Sequence, residues 1–288
     1  MLTKSLKESE YRALVSLLAD EDVKVLHTVW EHLLAVGAPA LPYLREAGDD
    51  PDPRKRIRAR HIMARIVSEA LEEQFRSLAA HDDETFDFEE GIVTIARIEY
   101  PELDRETLHR PLETLTAGLR ERLVGVTRPI EIIQAINAYL FDELKFTGNS
   151  SDYYNLDNAF MNRVIEKRTG IPISLSTLYL LLGERLGLPL KGVGLPGHFL
   201  VRYDDGASEI YIDPYNSGRL LSRKDCAQYL TGAGYYFKEE YISTSSSRDI
   251  IIRTLRHLVL IYSKQPHKPR VRQLTHYIEL LRSPEKSR

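Results

Sequence analysis

Apolar residues recur at intervals of three and four along most of the chain, which is the period of an amphipathic α-helix. The pattern is present in EYRALVSLLA, VKVLHTVWEHLLAVG, IEIIQAINAYLFDELKF and SLSTLYLLLGERLG. Beyond Lys191 the period changes to two, and the segments GHFLVRY and EIYIDP flank the polar stretch DDGAS. This change predicts a β-hairpin within an otherwise helical protein. The expected fold class is therefore α+β, mainly helical with a small antiparallel sheet.

The first 80 residues show the helical period throughout, and Gly37 ends the second helix. Within this region the stretch DEDVKVL recurs as DPDPRKRI about 30 residues later. Paired helices that repeat at such an interval are similar to HEAT or armadillo units, which stack to form interaction surfaces. We therefore predict that residues 1–80 are a HEAT-like helical region, with an ordinary helical cap as the alternative.

The acidic stretch AHDDETFDFEE marks a boundary near residue 80. Amphipathic helices then lead into the hairpin, so residues 81–245 are predicted to form one domain. The tail RDIIIRTLRHLVLIYSKQPHKPRVRQLTHYIELLRS has two helical segments separated by a polar turn that contains proline. Residues 246–288 are therefore expected to form a helical hairpin that resembles a tetratricopeptide unit.

The charge balance gives no global attraction to nucleic acid or anionic lipid, because 39 Lys and Arg residues face 42 Asp and Glu residues. The basic run RKRIRAR has no aromatic stacking partner nearby and is more typical of a solvated helix face. No segment reaches the roughly 18 to 20 uninterrupted apolar residues of a membrane helix, and the N-terminus lacks a signal-peptide pattern. We expect a cytoplasmic protein without nucleic-acid or membrane partners.

The content of metal-binding residue types points away from a metal site. A single cysteine, Cys226, excludes an intramolecular disulfide and a cysteine-rich zinc site. The nine histidines are scattered, and none forms the His-x-x-x-His pair that binds metal from one helix face. We therefore expect neither a metal nor another cofactor.

The register of the hairpin follows from the position of its turn. If the turn is centred on the Asp-Gly dipeptide at 205–206, Val201 pairs with Ile210. In the same register His198 lies directly opposite Asp213. Opposed residues have Cβ atoms about 4.5 to 5.5 Å apart, which allows a hydrogen bond between an imidazole and a carboxylate. A shift of one residue would place the two side chains on opposite faces of the sheet.

A histidine held by an aspartate has the arrangement of a general base. The carboxylate fixes the tautomer of the ring and leaves its other nitrogen free to accept a proton. The alternative is that His198 only ends a strand and that Asp213 begins the Asp-Pro turn DPYN for local hydrogen-bonding reasons. The residues by themselves leave both interpretations open.

Two longer stretches resemble a known family. They are NAFMNRVIEKRTGIPISLSTLYLLLGERLGLPLKGVGLPGHFLVRY and YIDPYNSGRLLS. The order of a helix tip, a strand with histidine and a strand with aspartate followed by proline resembles the transglutaminase-like branch of the papain-type cysteine fold. The stretches are similar to those of the SirB-type transglutaminase-like proteins of bacteria. The resemblance covers roughly residues 85–288 and implies a transglutaminase-like core for residues 81–245.

This resemblance implies that His198 and Asp213 are the base and the orienting acid of a Cys-His-Asp triad. It also places the catalytic thiol of active relatives at Pro172, which has no nucleophilic atom. Cys226 follows the aspartate in the chain and is in the wrong order to replace that thiol. Ser174 lies two residues beyond the proline and is either a candidate nucleophile or the cap of its helix.

Two functions from different classes follow from these residues. The first is a catalytically silent transglutaminase-like domain that serves as a binding or scaffolding module for a protein or peptide partner, flanked by HEAT-like and tetratricopeptide-like helices. The second is a hydrolase or acyltransferase in which Ser174 replaces the thiol, His198 acts as general base and Asp213 orients the histidine.

Overall fold

The computed structural model describes residues 6–264 and 268–282. The chain divides into two compact units, and the division falls between Gln74 and Phe75 in the sequence. No helix in the described ranges combines the length and the apolar character needed to cross a membrane. The predicted domain boundaries near residues 80 and 246 stay predictions.

The first unit is helical. Its elements are α1 (Glu8–Ser16), α2 (Val23–Val36), α3 (Leu41–Ala47) and the N-terminal part of α4 (Pro53–Ala80). Asp22 accepts a hydrogen bond from the backbone N–H of Lys24 at 2.7 Å and so caps α2. Asp52 accepts one from Arg54 at 2.9 Å at the start of α4. The two turn-like stretches of the sequence thus begin helices in the same way, while a true HEAT-like repeat stays a prediction.

The basic run RKRIRAR lies on α4 and contacts loop backbone in the first unit. The Arg58 guanidinium donates to the carbonyl oxygens of Leu18 at 2.7 Å and Asp20 at 2.8 Å. The Nε of Arg60 donates to the carbonyl oxygen of Gly48 at 2.8 Å. These arginines therefore satisfy carbonyl groups of the turns that precede α2 and α4.

The second unit has eight α-helices from residue 88 onward in the described part of the chain. In chain order they are α5 (Phe88–Ala96), α6 (Arg105–Arg122), α7 (Pro129–Asn137), α8 (Met161–Lys167), α9 (Pro172–Arg185), α10 (Arg223–Gly232), α11 (Ser247–Ser263) and α12 (Lys268–Arg282). Every residue of α9 from Pro172 to Gly183 is buried, and α6, α8 and α11 pack against this helix. A helix without a polar face is stable only where neighbouring elements cover it completely. The second unit is therefore organised around α9.

A five-stranded antiparallel sheet packs against α9 through its central strands. Two short parallel strands come first, β1 (Thr147–Gly148) and β2 (Thr169–Gly170), and the sheet then consists of β3 (Leu190–Val193), β4 (Leu200–Asp204), β5 (Glu209–Asp213), β6 (Arg219–Leu221) and β7 (Thr244–Ser245). The strand order is β6-β5-β4-β3-β7. The predicted α+β class, mainly helical with a small antiparallel sheet, is confirmed.

The predicted hairpin is present as β4 and β5, but its predicted register is wrong by two residues. Val201 pairs with Ile212 and not with Ile210. The turn is a loop from 205 to 208, because a carboxylate oxygen of Asp205 accepts the backbone N–H groups of Ala207 and Ser208 at 3.0 and 2.7 Å. This moves the centre of the turn one residue beyond the Asp-Gly dipeptide. A shift of two residues keeps every side chain on its predicted face.

The C-terminal helices α11 and α12 pack on each other, and α11 also packs on α5. The ring of Tyr277 on α12 stacks on Phe75 with centroids 4.3 Å apart. Glu99 accepts hydrogen bonds from Tyr262 at 2.5 Å and from Arg270 at 2.9 Å. The two helices therefore belong to the same compact unit as the sheet, and their tetratricopeptide-like character stays a prediction.

A substitution at Gly91 on α5 tests how closely α5 packs against α11. A Cβ atom at this position would lie 2.9 Å from Cδ1 of Ile251, so Gly91→Ala must displace that buried side chain. We expect the free energy of unfolding to fall by about 1 to 3 kcal/mol, as in other overpacked cores. Denaturant-induced unfolding measures the change.

The matched control is Gly232→Ala at the end of α10, where no heavy atom lies within 4 Å of the added Cβ. This variant should remain within about 1 kcal/mol of the wild type. Equal destabilisation by the two substitutions would contradict the close approach at Gly91.

Candidate functional site

His198 and Asp213 are in direct contact. The Nε2 of His198 lies 2.8 Å from Oδ2 of Asp213, and both side chains are largely buried. His198 precedes β4, which begins at Leu200, and Asp213 is the last residue of β5. The contact is therefore diagonal and not directly across the hairpin, which corrects the predicted pairing. The two side chains still meet because the register error of two residues leaves them on one face.

The carboxylate of Asp213 is held by three hydrogen bonds. Besides His198, the side-chain amide of Asn216 donates to Oδ2 at 2.8 Å and the backbone N–H of Asn216 donates to Oδ1 at 3.2 Å. Burial raises the pKa of Asp213, but the hydrogen bonds and the charge of His198 outweigh this effect and hold the pKa below its ordinary value. The aspartate is thus ionised and orients the imidazole through Nε2.

Arg253 on α11 fixes the backbone that carries His198. Its Nη2 donates to the carbonyl oxygens of Leu195 at 2.5 Å and His198 at 2.8 Å, and its guanidinium lies over the ring of Phe199 with 5.3 Å to the centroid. A Cβ at Gly194 would lie 2.7 Å from Nη1 of this arginine, so a side chain there would displace the guanidinium. Sequence reasoning missed Arg253, although a charged residue within the apolar run DIIIRTLRHLVL was a visible signal.

Pro172 is the first residue of α9 and faces the same cavity as His198. The cavity has a volume of about 510 Å³. Its lining residues are Tyr153, Tyr154, Pro172, Ile173, Gly197, His198, Phe199, Arg253, Arg256, His257 and Leu260. The structure therefore brings the position that the resemblance assigned to a thiol beside the imidazole. Pro172 supplies no nucleophile there.

The structure does not bring Ser174 to His198. The Ser174 hydroxyl donates to the carbonyl oxygen of Asn158 at 2.6 Å and accepts the backbone N–H of Ile171 at 3.0 Å. The side chain is only 3 % exposed and is not among the cavity residues. The predicted N-cap position is also wrong, because α9 begins at Pro172 and Ile171 is its N-cap residue. Ser174 therefore satisfies buried backbone groups from inside the first turn.

This serine connects the helix tip to the loop that forms one wall of the cavity. Asn158 donates through Nδ2 to the carbonyl oxygen of Asp152 at 2.7 Å and accepts a hydrogen bond from Asn149 at 3.0 Å. These contacts shape the loop that carries Tyr153 and Tyr154. The role of Asn158 was not predicted, because its partners are brought together only by the fold.

Cys226 does not provide the missing thiolate. Its side chain is fully buried and packs with Leu200, Tyr211 and Leu230. It also borders a second cavity of about 400 Å³ that touches His198. Burial raises the pKa of the thiol to about 11, so the unreactive protonated form dominates near neutral pH. In the described residues no group of three or more His, Cys, Asp or Glu side chains could hold a metal ion.

The sequence profile of the transglutaminase-like superfamily matches residues 106–256, a range that contains Pro172, Ser174, His198 and Asp213. The chain belongs to this superfamily. A UPF0162 protein of Xylella fastidiosa is 34 % identical over 206 residues, which cover 69 % of this chain and 73 % of that protein. The resemblance seen in the sequence is therefore confirmed at the level of the transglutaminase-like superfamily, while its SirB-type detail stays a prediction.

Two further relatives show how the transglutaminase-like region is distributed. A UPF0162 protein of Vibrio cholerae is 31 % identical over 157 residues, which cover 54 % of this chain and 58 % of that protein. The F-box only protein 21 of Mus musculus is 42 % identical over 130 residues, which cover 42 % of this chain but only 21 % of that protein. A comparison with solved structures gives no significant match.

The depressed pKa of Asp213 predicts a pH-dependent contribution to stability. Because the folded-state pKa is below the unfolded value, ionised Asp213 stabilises the fold above the ordinary carboxyl range, and the contribution is lost as the pH falls through the folded pKa. We expect Asp213→Asn to be less stable than the wild type near neutral pH. The difference should shrink below about pH 4. Urea unfolding of both proteins at a series of pH values measures it, and a difference that is constant with pH would contradict the lowered pKa.

Cys226 is expected to be inert in the folded protein. A buried thiol with a pKa of about 11 should react with iodoacetamide at least about a hundredfold more slowly than the same thiol in guanidinium-unfolded protein. Mass spectrometry after timed labelling gives both rates. Similar rates in the two states would contradict the burial and the raised pKa of this thiol.

Proposed function

We propose that the second unit is a catalytically silent transglutaminase-like domain that binds a protein or peptide partner in the cavity beside His198. This proposal rests on the residues at the N-terminal tip of α9, which offer no nucleophile to His198. Pro172 occupies the position beside the imidazole, and the Ser174 hydroxyl is directed to the carbonyl oxygen of Asn158 at 2.6 Å. No nucleophilic atom of the tip is therefore available to His198 in the described contacts.

The absence of a paired nucleophile removes the first step of acyl transfer. A serine or cysteine attacks only when a base takes its proton or when its own pKa is lowered. His198 is arranged as a general base would be, because Asp213 binds Nε2 and the other ring nitrogen can accept a proton. The remaining thiol, Cys226, has a raised pKa and lies in an apolar cluster. The orienting pair is thus retained without the group on which it would act.

The residues that line the cavity support a peptide-binding role. Tyr153 and Tyr154 form one wall, and Leu260 of α11 lies on another. Tyrosines offer a large apolar ring and a polar hydroxyl, a combination that is enriched where proteins bind other chains. In the mouse F-box only protein 21 the matched stretch is 21 % of the length, so this region also occurs as one part of a longer protein. That occurrence supports a modular role.

The flanking helical regions extend this proposal. HEAT-like and tetratricopeptide-like helices stack to present surfaces for other proteins. A scaffold with a peptide site in the transglutaminase-like domain and helical surfaces on either side of it in the sequence would hold more than one partner.

The serine-dependent alternative is not favoured by any observed contact. It requires the Ser174 hydroxyl to leave both Asn158 and Ile171 and to approach His198 within hydrogen-bonding distance. It would also leave two buried backbone groups without partners, at a cost of about 1 to 3 kcal/mol each. The fluorophosphonate labelling described next would detect this serine-dependent activity.

Two measurements on the full chain test the proposal. The first is labelling with a fluorophosphonate probe, where we expect no adduct on the wild type, because no activated serine faces the base. An adduct that disappears in Ser174→Ala would overturn catalytic silence.

The second measurement is photo-cross-linking in cells that express the chain with p-benzoylphenylalanine in place of Tyr154 or, as a control, of Tyr236. Both side chains are exposed, by 45 % and 92 %, but only Tyr154 lines the cavity. We expect a discrete cross-linked partner from position 154 that is absent from position 236. No difference between the two positions would overturn partner binding in the cavity.

A further inference from the structure

One face of α11 points into the cavity beside His198. The residues of that face are Arg253, Arg256, His257 and Leu260, at the spacing of three, four and seven that places side chains on one side of a helix. Three of them are basic. Among the residues that line this cavity in the described part of the chain, none is acidic. The cavity is therefore an apolar and aromatic site with positive charge on one wall.

Arg253 is a largely buried guanidinium without an acidic partner among residues 6–264 and 268–282. Its hydrogen bonds go to the carbonyl oxygens of Leu195 and His198, and both leave from Nη2. Burial lowers the pKa of this arginine, since no carboxylate compensates the loss of solvent. Burying a cation lowers the stability of the fold unless an opposite charge pairs with it. The Nε and Nη1 groups make no hydrogen bond within the described residues and are available to an anion.

His257 contributes a second unused polar group four residues further along the helix. Its Nε2 is buried and has no hydrogen-bond partner in the described part of the structure. The ring packs edge to face on Tyr153, with centroids 5.6 Å apart. Burial lowers the pKa of His257 to about 4, so the ring is neutral near pH 7. His257 is one of the residues that line the cavity, and a small rotation of the ring would let Nε2–H donate one hydrogen bond to an occupant.

Lys264 adds positive charge next to the tyrosine wall. Its Nζ lies 3.1 Å from the centroid of the Tyr154 ring, a cation-π contact. Tyr154 thus contacts Lys264, while Tyr153 packs on His257 of the basic face of α11. An occupant that places an apolar group on these rings has cationic groups within reach of its polar end.

These observations deepen the proposed peptide-binding function and rest on it. We propose that the cavity binds the carboxylate of a peptide, with Arg253 and His257 as hydrogen-bond donors to its oxygens and an apolar side chain of the peptide against Tyr153, Tyr154 and Leu260. The volume of about 510 Å³ lies within the range of about 300 to 1,000 Å³ that is typical of ligand sites. The carboxylate belongs either to the end of a chain or to an Asp or Glu side chain.

Three pools of N-acetylated random octapeptides separate these sources when they are passed over the immobilised full-length protein. The first pool has free C-terminal carboxylates and no Asp or Glu, the second is amidated and has neither residue, and the third is amidated and carries one Glu. We expect the first or the third pool to be retained about tenfold more than the second, because charge-assisted hydrogen bonds are the strong ones. The pool that is retained identifies the source of the carboxylate.

Variants on the face of α11 test the donors. Arg253→Gln should reduce retention about tenfold or more, but this arginine also anchors the backbone of His198, so a second pair of variants is needed. Leu260 is 46 % exposed and shares the face, and Leu260→Glu would place a competing carboxylate in the cavity. Leu260→Gln has the same shape without the charge. We expect the Glu variant to retain at least about fivefold less than the Gln variant.

Arg272→Gln is the matched control for charge, because Arg272 is exposed on α12 and does not line the cavity. It should leave retention unchanged. If the amidated pool without Glu is retained as strongly as the two pools that carry a carboxylate, the carboxylate proposal is overturned. Peptide binding itself would then still be supported. Equal retention by Leu260→Glu and Leu260→Gln would overturn the carboxylate proposal as well. If no pool is retained, the inference fails, while cross-linking at Tyr154 decides separately on the proposed function.

Discussion

Complete burial of α9 is the constraint on which the second unit depends. This helix has no polar face from Pro172 to Gly183, so the sheet and the helices α6, α8 and α11 must cover it on every side. The polar groups at its N-terminus then have to find partners inside the protein. The Ser174 hydroxyl satisfies the carbonyl oxygen of Asn158 and the N–H of Ile171, and in doing so ties the helix tip to the loop of Tyr153. The burial of α9 thus accounts both for the contacts of the Ser174 hydroxyl and for the attachment of the Tyr153 loop to the helix tip.

The charged groups buried at the site differ in whether a partner of opposite charge or a hydrogen-bonding side chain lies next to them. Asp213 and His198 form a hydrogen-bonded pair, and Asn216 completes the partners of the carboxylate. Among the described residues, the hydrogen bonds of Arg253 go to two backbone carbonyl oxygens, and its guanidinium lies over the ring of Phe199. The carboxylate of Asp213 therefore has hydrogen-bond partners, whereas the guanidinium of Arg253 has no carboxylate partner among the described residues. The two basic groups of the site therefore differ in what they can bind, although they are joined through the same stretch of backbone.

The fold class, the hairpin and the meeting of His198 with Asp213 could be predicted from the sequence because they depend on periodicity. A strand has a side-chain period of two, so an error of two residues in register leaves both residues on the predicted face. The exact pairs could not be predicted, since the side chain of Asp205 binds two N–H groups and displaces the turn. The contacts of Ser174 and Arg253 could not be predicted from the sequence either. Their partners lie 16 and 55 residues away, and local pattern does not specify such distant carbonyl oxygens.

The proline at the tip of α9 changes more than the missing sulfur. An N1 residue normally contributes one of the free amide hydrogens of the first turn, and proline has none. Amide hydrogens at a helix start are the groups that stabilise the oxyanion of a tetrahedral intermediate. Pro172 thus supplies neither an amide hydrogen nor a nucleophilic atom to the cavity that it shares with His198. An acyl-transfer mechanism at this tip would therefore need its nucleophile and this oxyanion donor from residues other than Pro172.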